Sequence, residues 1–212
     1  MNAQGKRSGE TAREYAYRMI REQVISLELK PGEAFNDMEF AAKIGVSRTP
    51  VREAVIQLSE ESRIIEIFPQ RGMRIAPIDV ELVEEARSLR VLLEKQIAGM
   101  CCEMATEEDI KWLQENVGLQ EFYMENSRPE MVMQLDDEMH HKLFMICHRE
   151  LTYGMCQKLA IHYDRIRSLS VNTVKDNTII EDHRKIIQFI AEHKKENAMA
   201  QMEKHLSRWQ LN

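Results

Sequence analysis

No stretch of this 212-residue chain is apolar for long enough to cross a bilayer as a helix. The first residues, Met1 to Gly9, are polar, hold Lys6 and Arg7, and contain no apolar segment of the kind that drives secretion. Cysteine is sparse. Cys101, Cys102, Cys147 and Cys156 include no C-x-x-C pair, so buried, reduced thiols and a cytoplasmic location are expected. Internal repeats and low-complexity tracts are absent, as is the H-E-x-x-H signature of a zinc protease. What remains is a globular balance, 43% hydrophobic and 30% charged, long enough for two small domains.

The formal net charge of −6 argues at first against a nucleic-acid partner. It is unevenly placed. Residues 1–78 carry 12 Lys+Arg against 11 Asp+Glu, which leaves 17 against 24 for the remainder. An acidic body is joined to a near-neutral head, and DNA binding needs only local positive charge on one face.

In the head, Thr11 to Leu27 reads as a helix with Ala16, Met19, Ile20, Val24 and Leu27 on one stripe. Lys30-Pro31-Gly32 turns the chain. Asn36 or Asp37 can cap a short helix, Met38 to Ile44, and Gly45 breaks it. Ser47 or Thr49 then caps a third helix, with Pro50 in its first turn. Val51, Ala54, Val55 and Leu58 face inward, whereas Arg48 and Arg52, four residues apart, project together from the outer face. Arg63 to Phe68 and Met73 to Ala76 are strand-like, and Pro69-Gln70-Arg71-Gly72 joins them as a hairpin. Three helices and a hairpin make a winged helix-turn-helix. Its third helix would enter the major groove, where arginine bonds guanine O6 and N7, and Arg71 at the wing tip would reach the backbone or minor groove.

Nothing after residue 78 reads as a strand. Helices are expected over Val80–Cys102, Glu108–Glu125, Pro129–His148, Thr152–Ser170, Thr178–His193 and Asn197–Trp209, and an antiparallel bundle is their simplest packing. The chemistry lies in Asp136, His140, His183 and His205. Met131, Leu135, Met139, Leu143 and Ile146 define a buried stripe; Asp136 and His140 lie at its edge, while Asp137 and His141 point further out. His183 and His205 stand nearly equidistant from the joint near Lys195, so antiparallel helices would hold the two imidazoles at the same height. One carboxylate and three imidazoles suit Zn²⁺, Ni²⁺, Mn²⁺ or Fe²⁺ with positions left for a ligand. The same four residues could equally be packed polar groups without a metal. His148, His162 and His193 carry no such pattern.

Leu29-Lys30-Pro31-Gly32-Glu33, the run from Gly45 to Ala54, and Pro69-Gln70-Arg71-Gly72 resemble the DNA-binding head of the GntR family of bacterial transcription regulators. That resemblance places Arg48, Thr49, Arg52, Arg71 and Gly72 at DNA. Met38 departs from a frequent arginine and Ser62 from a frequent glycine. Arg90-x-x-x-Glu94, Asp136-x-x-Met139-His140-x-x-Leu143, Asp182-His183 and His205-Leu206 resemble the all-helical FCD domain of the FadR subgroup. Met139 replaces a usual phenylalanine there, and Arg149 falls near a frequent asparagine. The resemblance implies a divalent metal on Asp136, His140, His183 and His205 that helps to hold a small carboxylate effector; Arg90 and Arg165 are candidate partners for that carboxylate. The expectation is a mainly α chain: a winged helix-turn-helix over 1–78 and an FCD-type effector and dimerisation domain over 79–212. It would bind a palindromic operator as a homodimer. A metal-dependent hydrolase using the same cluster is the rival, although no general base or nucleophile accompanies it.

Overall fold

The computed structural model describes residues 5–173 and 178–208. Two compact units divide the chain. One takes the described residues up to Val83 together with Ile161–Ser168; the other takes Glu84–Ala160 and the described residues from Leu169 onward.

In the first unit, α1 (Ala12–Ile25) starts at a reciprocal cap: Thr11 accepts from the Glu14 amide while the Glu14 carboxylate accepts from the Thr11 amide. A two-residue strand, β1 (Ala34–Phe35), precedes α2 (Asp37–Ile44). The Asn36 side chain caps α2 by accepting from Met38 N at 3.0 Å and Glu39 N at 3.3 Å. Gly45, at φ 72°, turns the chain into α3 (Arg48–Ser62). Strands β2 (Ile65–Phe68) and β3 (Gly72–Ile75) form the wing, with Gln70 at φ 62° and Gly72 at φ 100° in its turn. The sheet order is β1-β3-β2, all antiparallel, with Phe35 opposite Met73 and Ile65 opposite Ile75. Beneath it lie Ala16, Ile20, Val24, Val51, Val55, Leu58 and Ile64, all fully buried. This is the expected winged helix-turn-helix with one addition. A pair of residues is too short to show an alternating pattern, so β1 left no mark in the sequence.

The remaining helices are α4 (Val80–Met104), α5 (Glu107–Glu125), α6 (Pro129–Ile146), α7 (Glu150–Thr173), α8 (Thr178–Ala191) and α9 (Lys195–Ser207). Among the described residues they carry no strand, as expected. Three joints are built alike. Ser127, His148 and His193 adopt the left-handed conformation at φ 54°, 54° and 55°. The amide of the next residue then bonds back to the helix just ended, Arg128 to Tyr123, Arg149 to Phe144 and Lys194 to Phe189. His148 and His193 therefore terminate α6 and α8 rather than extend them, a correction to the expected boundaries. The expected end of the last helix at Trp209 lies outside the described residues. Leu113, Met139, Leu143, Phe144, Ile186, Ala198 and Met202 fill the core of this unit, and the four cysteines are buried and unpaired. No helix among the described residues is long and apolar enough to cross a membrane.

Candidate functional site

Arg48 is the first residue of α3 and Arg52 follows one turn later; both side chains are more than half exposed. Ser47 occupies the cap position but makes no side-chain cap bond, so the first amides of α3 keep their donors for an anion. Together with Arg71 and Gly72 of the wing, the two arginines line a cleft of about 470 Å³. Thr49 is exposed at the start of the same helix. The structure thus brings Arg48, Arg52, Arg71 and Gly72 to one face. It adds an acid that the sequence reading treated only as a cap. Asp37 is buried, accepts from Arg48 Nε at 3.0 Å on both oxygens, and lies 3.5 Å from Arg52 Nη1.

In the second unit Asp136, His140, His183 and His205 come together. They project from α6, α8 and α9, all four are buried, and each offers a ligand atom within 4.8 Å of the others. His183 Nε2 lies 3.3 Å from Asp136 Oδ1 and 3.3 Å from His205 Nε2. His140 Nε2 is 3.9 Å from Asp136 Oδ2 and has no hydrogen-bond partner. Burial first, and then the neighbouring His183 and His140, hold the His205 pKa well below its usual value, so this ring is neutral at pH 7 with a lone pair to offer. Outward-pointing His141 stacks on Tyr153 instead, with ring centroids 4.3 Å apart.

Polar groups face the far sides of the rings as well. His183 Nδ1 donates to Gln120 Oε1 at 2.9 Å, and Gln120 in turn donates to Asn116. His140 Nδ1 faces Glu94 Oε2, and Glu94 pairs with Arg90 Nε at 2.6 Å. Burial pushes the Glu94 pKa up, but Arg90 and His140 outweigh it and hold the carboxyl at about 2. His205 Nδ1 lies 3.9 Å from Asp182, which is itself held by Gln201 and Arg208. His183, held on Nδ1 by Gln120 and directed inward with Nε2, matches the usual support of a metal ligand, while the far nitrogens of His140 and His205 face carboxylates without a hydrogen bond. A donor set of three imidazoles and one carboxylate, with a buried nitrogen unsatisfied, fits a divalent ion. Gln120 was missed by the sequence reading, because nothing in a lone polar residue on α5 marks which helix it faces.

Arg165 is not part of this set. Its guanidinium donates to Ala76 O at 2.8 Å and Pro77 O at 3.4 Å. It is fully buried, and burial lowers its pKa. Those bonds make it a clamp on the Ala76–Pro77 backbone.

Residues 12–75 match the gntR family of bacterial regulatory proteins and residues 85–208 match the FCD domain. The chain is 30% identical to the HTH-type transcriptional repressor RspR of Escherichia coli over 158 residues, 74% of this chain and 69% of that one. It is 29% identical over 204 residues to an HTH-type transcriptional regulator in an unstable DNA locus of Streptomyces ambofaciens, covering 94% and 84%. Among solved structures, McbR of E. coli shares the fold with a TM-score of 0.77 at 18% identity, over 93% of this chain and 94% of that one. These relatives are transcription regulators rather than enzymes.

Proposed function

The chain belongs to the GntR family of bacterial regulators and carries an FCD domain, and from that premise we propose how this DNA-binding transcription regulator reads its operator and senses its signal. Two copies bind a palindromic site in the cytoplasm, each offering the start of α3 and the wing. Arg48 and Arg52 reach base edges or phosphates in the major groove, Thr49 contacts the backbone, and Arg71 and Gly72 place the wing tip beside the duplex. The residues up to 78 act as the reading head and those from 79 as the sensing and dimerising body.

Within the body, Asp136, His140, His183 and His205 would hold one divalent metal of the Zn²⁺, Ni²⁺, Mn²⁺ or Fe²⁺ class. When bound, it would supply a fixed positive charge and coordination positions for a small organic acid. Glu94 and Gln120 orient His140 and His183, and His205 contributes a neutral ring. Arg90, paired with Glu94, would be a cation for the effector carboxylate. An effector that binds one arrangement of the protein better than another shifts the population of operator-binding dimers.

One observation supports the sensing half above the others: four buried ligand atoms from three helices lie within 4.8 Å of one another. Elemental analysis of the purified protein tests it. About one transition-metal ion per chain is expected, with most of it lost in His140→Ala and in His183→Ala. If neither substitution lowers the metal content, the cluster is a packed polar group and the metal is discarded.

A further inference from the structure

Asp37 sits in a place that sequence-independent DNA affinity does not favour. It is the first residue of α2, only 3% exposed, and its carboxylate lies in the cleft that Arg48, Arg52 and Arg71 line. An acid on a surface that meets phosphates repels them and cancels a cation that would otherwise release counterions. Among the described residues, the polar partners of its side-chain oxygens are the two arginines: Arg48 Nε at 3.0 Å to each oxygen and Arg52 Nη1 at 3.5 Å. The Asn36 side chain already caps α2, so Asp37 is not needed for that task.

We propose that Asp37 is a positioning residue for sequence readout. By taking the Nε of Arg48 it fixes the plane of that guanidinium, and by lying beside Arg52 it keeps the second arginine close to the first. The terminal nitrogens of Arg48 stay available for a guanine edge, which a freely rotating side chain would meet less often. The fixed carboxylate also weakens attraction to any passing phosphate. Asp37 thereby lowers affinity for random duplex while raising preference for the correct one. The proposal rests on Arg48 and Arg52 being DNA contacts.

Three roles for this acid predict different signs, and one assay separates them. Full-length wild-type protein selects a duplex from a random library. Its affinity and that of Asp37→Asn are then measured for the selected duplex and for a scrambled duplex of equal length, across a salt series. The positioning role predicts that Asp37→Asn binds the scrambled duplex at least as tightly as wild type and the selected one less tightly. The ratio between them should fall about tenfold, the scale of one well-made arginine–guanine contact. The salt dependence on the selected duplex should also steepen by about one ion, as an arginine moves from base to phosphate. A plain counter-charge would instead tighten both duplexes equally, and a purely structural acid would weaken both together along with the melting temperature; either result overturns the proposal. Asp37→Ser is measured in parallel so that failure of one variant to fold leaves the other to decide. Arg48→Ala and Arg52→Ala complete the set. If neither weakens the selected duplex, the assignment of these arginines to DNA fails and the proposal fails with it. If they do weaken it while Asp37→Asn leaves the ratio unchanged, the proposal alone fails.

Discussion

His162 and Arg165 stand one turn apart on α7, within the same compact unit as the winged head. His162 Nε2 donates to Ser62 O at 2.6 Å, the carbonyl of the last residue of α3. Helix ends leave such carbonyls without partners, and a buried one must find a donor. Burial pulls the His162 pKa below its usual value; the Ser62 carbonyl favours the charged ring but does not outweigh burial. The folded protein therefore binds fewer protons than the unfolded chain, whose imidazole titrates near about 6.5. Stability is complete above that pH and declines as pH falls below it toward the folded value. Chelator-treated protein should melt at a lower temperature at pH 5.5 than at pH 7.5, and His162→Gln should shrink that difference. Buried His205 acts in the same direction, so the difference should shrink rather than vanish. An unchanged difference in the variant would place the acid sensitivity elsewhere.

The turn between α2 and α3 sets where the reading helix begins. Gly45 takes φ 72°, Val46 N bonds back to Ala41 O at 3.1 Å, and a Cβ on Gly45 would meet no atom within 4 Å. Space is therefore no obstacle, and Gly45→Ala should cost only the left-handed backbone penalty, about 1–2 kcal/mol. Urea unfolding reads that value directly; a loss much larger would mean that the turn cannot hold its shape. This element was legible in advance because its cause is local: one glycine between two amphipathic helices. Arg63 was not legible. It takes φ 54° at the end of α3, where the preceding Ser62 donates its hydroxyl to Leu58 O at 2.9 Å. The non-glycine residues at Ser127, His148 and His193 likewise gave no composition signal for the left-handed turns they make.

Each unit has its own hydrophobic cluster, one under the wing and one within the helical body. The proposed metal would sit wholly in the second, on three helices that only folding brings together, so its binding energy would become folding energy for that unit. Adding Zn²⁺ or Ni²⁺ to chelated protein should raise the melting temperature; at a hundred times the dissociation constant the gain is about 2.7 kcal/mol. The increase should be lost in His183→Ala. A screen of small carboxylic acids should find one that raises the temperature further in the metal-loaded protein and not in the chelated one. Equal shifts with and without metal would separate the effector from the cluster.

The amino-acid sequence alone determined the order of the helices, the arginine pair on α3, the wing, and the inward choice of Asp136 and His140 over Asp137 and His141. It even set His183 and His205 level, because a residue count from a helix joint measures height along an axis. All of these depend on spacing within one element or across one turn. Only the tertiary structure decided that Glu94 and Gln120 support the cluster, that Arg165 clamps Ala76 and Pro77, and that Asp37 lies between Arg48 and Arg52. Those outcomes depend on how each helix is rotated and what it packs against, and many distant side chains settle that together.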